Sequence, residues 1–122
     1  MTDFETLGGR EEVERLVRAF VHASAEDFIV GFFFEGKDLE RIIRHETEMA
    51  VAHLGGPSRY SGRPLRTAHS PLKINRGHFR RRLAIMRTIL LAEGTAEDIV
   101  ERWLDANRAL EGSVVIDRDC VD

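Results

Sequence analysis

Between Leu54 and Phe79 the chain cannot run on as a helix. The stretch LGGPSRYSGRPLRTAHSPLKINRGHF holds Gly55, Gly56, Pro57, Ser58, Ser61, Gly62, Pro64, Ser70, Pro71, Asn75 and Gly77. Gly-Gly followed by Pro ends a helix, because Gly takes a left-handed cap cheaply and Pro cannot continue the hydrogen-bond ladder. The chain on both sides carries apolar residues at helical spacing. A long irregular segment between helices of one compact domain is either disordered or functional. Its apolar anchors, Tyr60, Leu65, Leu72, Ile74 and Phe79, point to a segment ordered around something, with His69 at its centre.

Composition narrows the class. The chain has 122 residues, 43% of them apolar and 32% charged, and its net charge is −3. That is enough for one domain with one core, read here as residues 1–122 with a frayed tail over 113–122. The balance gives no reason to expect a nucleic-acid or membrane partner. Cys120 is the single cysteine, which excludes an internal disulfide and a cysteine metal cluster. No signal peptide and no membrane-length apolar run is seen, so the expected location is cytoplasmic.

The helices can be read in order. Thr2 and Glu5 fit a capping box on a short first helix that Gly8-Gly9 stops. The next helix runs from about Glu11 to Ala25, with Val13, Leu16, Val17, Phe20 and Val21 on one stripe. Phe28 to Phe34 could be a buried strand by periodicity, but nothing else in the chain looks like a pairing partner. A helical turn or corner packed into the core is the expectation. Asp38 can cap a helix reaching about Leu54, with Leu39, Ile42, Ile43, Met49 and Ala50 on its stripe. A further helix spans about Asn75 to Glu93, striped by Phe79, Leu83, Met86, Ile89 and Leu90. After Gly94, Thr95 is the expected N-cap of the last long helix, whose buried face holds Ile99, Val100, Trp103, Leu104 and Leu110.

Three polar residues sit on or beside apolar stripes. Glu46 lies on its helix stripe, three beyond Ile43, and His45 lies on or beside it. A buried unpaired carboxylate is costly, so this face is read as looking into a cavity holding a polar ligand, unless Glu46 is a boundary residue with a solvated head. Arg82 is three beyond Phe79 and four before Met86. It either snorkels outward or serves a buried acceptor. His69 follows Arg63 and Arg66 by six and three residues. His22, His53 and His78 have no evident partner and read as surface or boundary residues.

The ordered set Leu54-Gly55-Gly56-Pro57, Tyr60, Gly62-Arg63, Arg66, His69, Ile74 and His78-Phe79 resembles the truncated haemoglobins, the short two-over-two globins. Gly8-Gly9 and Phe33-Phe34 fall at that family's spacing too, and the resemblance covers roughly residues 4 to 112. Its group 1 has the most similar overall pattern. The resemblance implies an all-α two-over-two helical sandwich around a haem b, with His69 as the proximal iron ligand. It implies haem walls at Phe34, Ile42, Tyr60, Leu65, Ile74, Phe79 and Leu83, and propionate partners at Arg63 and Arg66, since Arg is the side chain best suited to carboxylates. The ligand pocket would hold Phe20, Val21, Glu46 and Arg82. In some relatives the residue at the place of His45 binds iron on the sixth side, making His45 a candidate distal ligand.

The chain also departs from that pattern. Val21 stands where a ligand-binding tyrosine is usual, Glu46 where glutamine is frequent, and Arg82 where other groups carry tryptophan. Ser70-Pro71-Leu72-Lys73 replaces the glycine motif after the histidine. The resemblance therefore implies a haem protein that binds or reacts with oxygen, nitric oxide or another nitrogen oxide, served by a reductase. Oxygen transport, nitric-oxide dioxygenation, nitrite reduction and peroxidase-like chemistry stay open. The alternative is a six-coordinate haem protein for electron transfer or redox sensing. A helical domain that only binds a partner protein is the third reading, and oligomeric state is not legible.

Overall fold

The structure, a computed structural model, describes residues 1–58 and 73–115, apart from the side chain of Val114. Among these the order is α1 (Asp3–Leu7), α2 (Arg10–Ala25), a 3-10 turn (Gly31–Phe34), α3 (Leu39–His53), α4 (Arg76–Ala92), α5 (Glu97–Arg108) and α6 (Glu111–Val114). The described residues are all-helical, as the periodicity predicts. Helix α2 packs on α3 and α4, and α4 packs on α5. The two pairs, α2 with α3 and α4 with α5, enclose a core that includes Leu16, Phe20, Ile43, Val51, Leu90, Val100 and Trp103. All of these but Val51 are residues the three-four spacing had marked.

Most helix ends obey local chemistry. Thr2 and Glu5 form the expected reciprocal capping box, and Asp38 accepts from the Arg41 backbone N–H. Asn75 caps α4, with His78 completing a box of its own. Thr95 is a correction. Its N–H donates to the Leu90 carbonyl at 3.0 Å, so it closes the end of α4. The N-cap of α5 is then Ala96, one residue later, with no side-chain bond. The tail is packed further than expected: Val115 is buried against Phe79, and residues 116–122 lie outside the described residues.

The phenylalanine-rich run forms the expected turn. Its packing is corrected: only part of it enters the core. Val30 is buried and Phe33 and Phe34 are half-buried, while Phe28 is 97% exposed and Phe32 54% exposed. Asp27 shapes this corner by accepting from the N–H groups of Ile29 and Val30 at 2.9 and 3.1 Å. Arg81 of α4 donates to the same carboxylate at 2.6 Å.

The end of α3 is tied to the N-terminus. Gly55 has φ of +89°, a conformation open to glycine, and the N–H of Gly56 donates to Val51 at 2.9 Å. The Phe4 N–H donates to the Leu54 carbonyl at 2.9 Å. A Cβ at Gly56 would fall 2.5 Å from the Phe4 ring and 2.8 Å from Val51. Gly56→Ala should therefore destabilise the fold by about 1–3 kcal/mol, the usual range for overpacking, as read by urea unfolding. A change below a few tenths would show that Phe4 moves aside freely.

The Asp27 carboxyl is held down at about 2, first by the Arg81 hydrogen bond and then, against burial, by the two backbone donors. Its contribution is thus present above the ordinary value near 3.8 and lost as pH falls toward 2. The stability difference between the parent and Asp27→Asn should shrink over that window. A difference that is flat between pH 5 and 2 would contradict this.

Candidate functional site

Helix α4 turns Arg82 inward, because its neighbours at three and four residues, Phe79 and Met86, are both buried. Nη1 and Nη2 each donate to Glu46 of α3 at 2.9 Å, a two-pronged pair. Nη2 also donates to Oδ1 of Asn107 at 2.8 Å, and Nε to the same atom at 3.3 Å. Asn107, on α5, is 1% exposed, and its Nδ2 donates to the Trp103 carbonyl at 3.1 Å. That bond fixes which end of the amide faces Arg82. The guanidinium carbon lies 5.0 Å from the centre of the Phe20 ring of α2. Arg82 thus serves buried acceptors and does not snorkel, and Glu46 is an ion-pair partner on the helix stripe.

Beside this cluster is a cavity between the four helices. Leu16, Val17, Met86 and Leu90 supply apolar wall, and Glu46, His53, Arg82 and Asn107 supply the polar groups. Its volume, about 10 Å³, is at the lower limit for admitting one water. Nδ1 of His53 is enclosed and has no hydrogen-bond partner among the described residues. Burial pushes the His53 pKa down, the Arg82 charge pushes it further, and Glu46 partly offsets both. The ring is therefore neutral at neutral pH. His53 is half-buried, so the sequence reading of it as a boundary residue stands in part, but it missed the enclosed nitrogen. The available signal was its place seven residues after Glu46, two turns along the same face. Asn107 was missed as well.

The other candidates divide between two places. Phe20 lines the cavity, whereas Val21 is 1% exposed in the core and does not. Phe34, Ile42 and Leu83 are half-buried hydrophobics packed against the main core. Leu83 and Ile74 also pack against a second cluster built on Phe79 and Val115. Leu83 is thus the residue, among these, that packs against both clusters. His45 is half-buried on α3, next to Glu46. Phe33 and His78 meet edge to face at 4.9 Å. Tyr60, Arg63, Leu65, Arg66 and His69 lie outside the described residues. Partly covered apolar walls with a histidine beside them fit a flat, largely apolar group such as haem. Among the described residues no group of three or more His, Cys, Asp or Glu could hold a bare metal ion.

Residues 2–115 match the family model for the bacterial-like globins. The group 1 truncated hemoglobin GlbN of Mycolicibacterium paratuberculosis is 31% identical over 104 residues, which are 84% of this chain and 76% of that one. The chain belongs to the truncated haemoglobins. The truncated hemoglobin of Tetrahymena pyriformis in its Fe(III) form superposes with a TM-score of 0.87 at 22% identity, over 94% of this chain and 98% of that one. The group II truncated hemoglobin of Bacillus anthracis superposes at 0.83 with 27% identity, over 95% and 92% of the two chains. The two layered helix pairs are accordingly the two-over-two globin sandwich. This truncated haemoglobin is a haem-binding globin of a family that binds small gas ligands. None of its described helices is long and apolar enough to cross a membrane.

The Arg82 cluster is a sensitive point of the fold. Both side chains of the pair are about one-fifth exposed, 22% and 19%. Arg82→Ala would take two hydrogen bonds from the partly buried Glu46 and two from the Asn107 side-chain oxygen, and should cost roughly 2–3 kcal/mol in urea unfolding, somewhat below the cost for a fully buried pair. Arg82→Met combined with Glu46→Leu should recover part of that loss. Equal instability of the double variant would show that the charge pair itself supplies the stability.

Proposed function

We propose that this truncated haemoglobin holds haem b through His69 and binds or reacts with oxygen or nitric oxide on the α3 side. Bound there, the haem would supply an iron able to take a diatomic ligand. The observation that supports the site best is that Phe34, Ile42, Ile74 and Leu83 are apolar yet only partly covered, with Leu83 packed against both core clusters. In this reading these residues wall the macrocycle, with Phe79 and Leu65, and they exclude water from one edge. Tyr60, Arg63 and Arg66 would hold its polar edge, the arginines as carboxylate partners.

His45 is the proposed sixth ligand in the resting protein. What supports it is its half-buried position on α3, three residues after the slot residue Ile42. An external ligand would then have to displace it. Val21 offers no hydroxyl, and Arg82 directs three of its nitrogens at Glu46 and Asn107. Ligand stabilisation by the usual tyrosine is thus unsupported. That same arrangement favours the second reading, electron transfer or redox sensing through a six-coordinate iron.

His69→Ala should retain far less haem than the parent through gel filtration, and added imidazole should restore the absorbance. Equal haem occupancy in the two proteins would remove His69 as the ligand. His45→Ala should keep its haem and change from a low-spin to a high-spin or water-ligated spectrum. An unchanged spectrum would take His45 off the iron.

A further inference from the structure

The cavity inside the four-helix core has a chemistry separate from the apolar slot. Most of its wall is hydrocarbon, yet His53 lines it and has an enclosed Nδ1 with no hydrogen-bond partner among the described residues. A buried polar nitrogen without a partner is costly, and a space just able to admit one water is where a bound molecule can meet that need. The groups facing His53 are few. Helix α2 brings only Leu16, Val17 and Phe20, α5 brings Trp103 and the uncharged Asn107, and α4 brings Arg82. Glu46, on α3 itself, supplies the one anionic group there.

We propose that this cavity is a binding site for one small, neutral, hydrogen-bond-donating molecule, water in the resting protein, with His53 Nδ1 as its acceptor. The positive guanidinium favours a bare nitrogen lone pair over an N–H on the cavity side. Burial keeps the ring neutral in the same sense. With its proton on Nε2, the imidazole can only accept at Nδ1. The occupant must therefore donate to His53, and it has Asn107, Glu46 and Arg82 as further polar neighbours. Aprotic molecules such as oxygen, nitric oxide or xenon cannot donate, so they would leave Nδ1 unsatisfied. The site thus sorts small molecules that reach the core by their ability to donate a hydrogen bond. This does not depend on which histidine holds the iron.

Crystals of the haem-loaded protein, with and without xenon pressure, test the assignment. The expected result is one ordered water within hydrogen-bond distance of His53 Nδ1 and no xenon in the cavity. Xenon bound there in the parent, or no water at Nδ1, would overturn it. His53→Leu, measured the same way, should lose the water. A water retained in that variant would overturn the role of His53 as acceptor. The parent crystals decide the question even if the variant does not fold.

Discussion

A single guanidinium joins the four principal helices. Arg82 comes from α4, grips Glu46 of α3 in two hydrogen bonds, reaches Asn107 of α5, and lies over the Phe20 ring of α2. Each bond is directional, so the four helices share one geometric reference inside an otherwise apolar core. Burying such a pair is weak evidence for stability, because desolvation offsets most of the attraction. Its physical consequence is positional. Asn107 is fixed by the Trp103 carbonyl, Arg82 by Asn107 and Glu46, and Glu46 therefore by a chain of bonds running back to α5.

That arrangement separates two environments in a small protein. Phe34, Ile42, Ile74 and Leu83 are partly covered apolar side chains suited to a flat cofactor. Beside the ion pair lies the small, mostly apolar cavity lined by His53. Truncated haemoglobins must place a ligand pocket inside a thin two-layer sandwich. Here Val21 is plain core, and the polar groups are pulled inward among themselves.

Much of this was legible in the sequence. The three-four spacing marked the core of α2, α3, α4 and α5, and the residues named as caps at Thr2 and Asp38 follow from short-range chemistry. Thr95 was misread because the left-handed Gly94 draws the next N–H back to α4, a choice between two local motifs that composition does not decide. The phenylalanine run was misread because hydrophobicity does not say which side of a tight corner faces inward. Arg82 and Glu46 stood out as polar residues on apolar stripes, but their mutual contact spans 36 residues and needs the packed helices. Asn107 and His53 were missed for the same reason: each looks ordinary in its own helix and gains meaning only from what faces it. The segment around His69, prominent in the sequence, lies outside the described residues, so its place in the site rests on the family pattern.

The most direct test of the account is the visible spectrum of the ferrous, haem-reconstituted protein with no ligand added. It should show one haem per chain and the sharp bands of a low-spin, internally ligated iron. A high-spin ferrous spectrum would contradict the internal sixth ligand, and failure to take up haem would contradict the account as a whole.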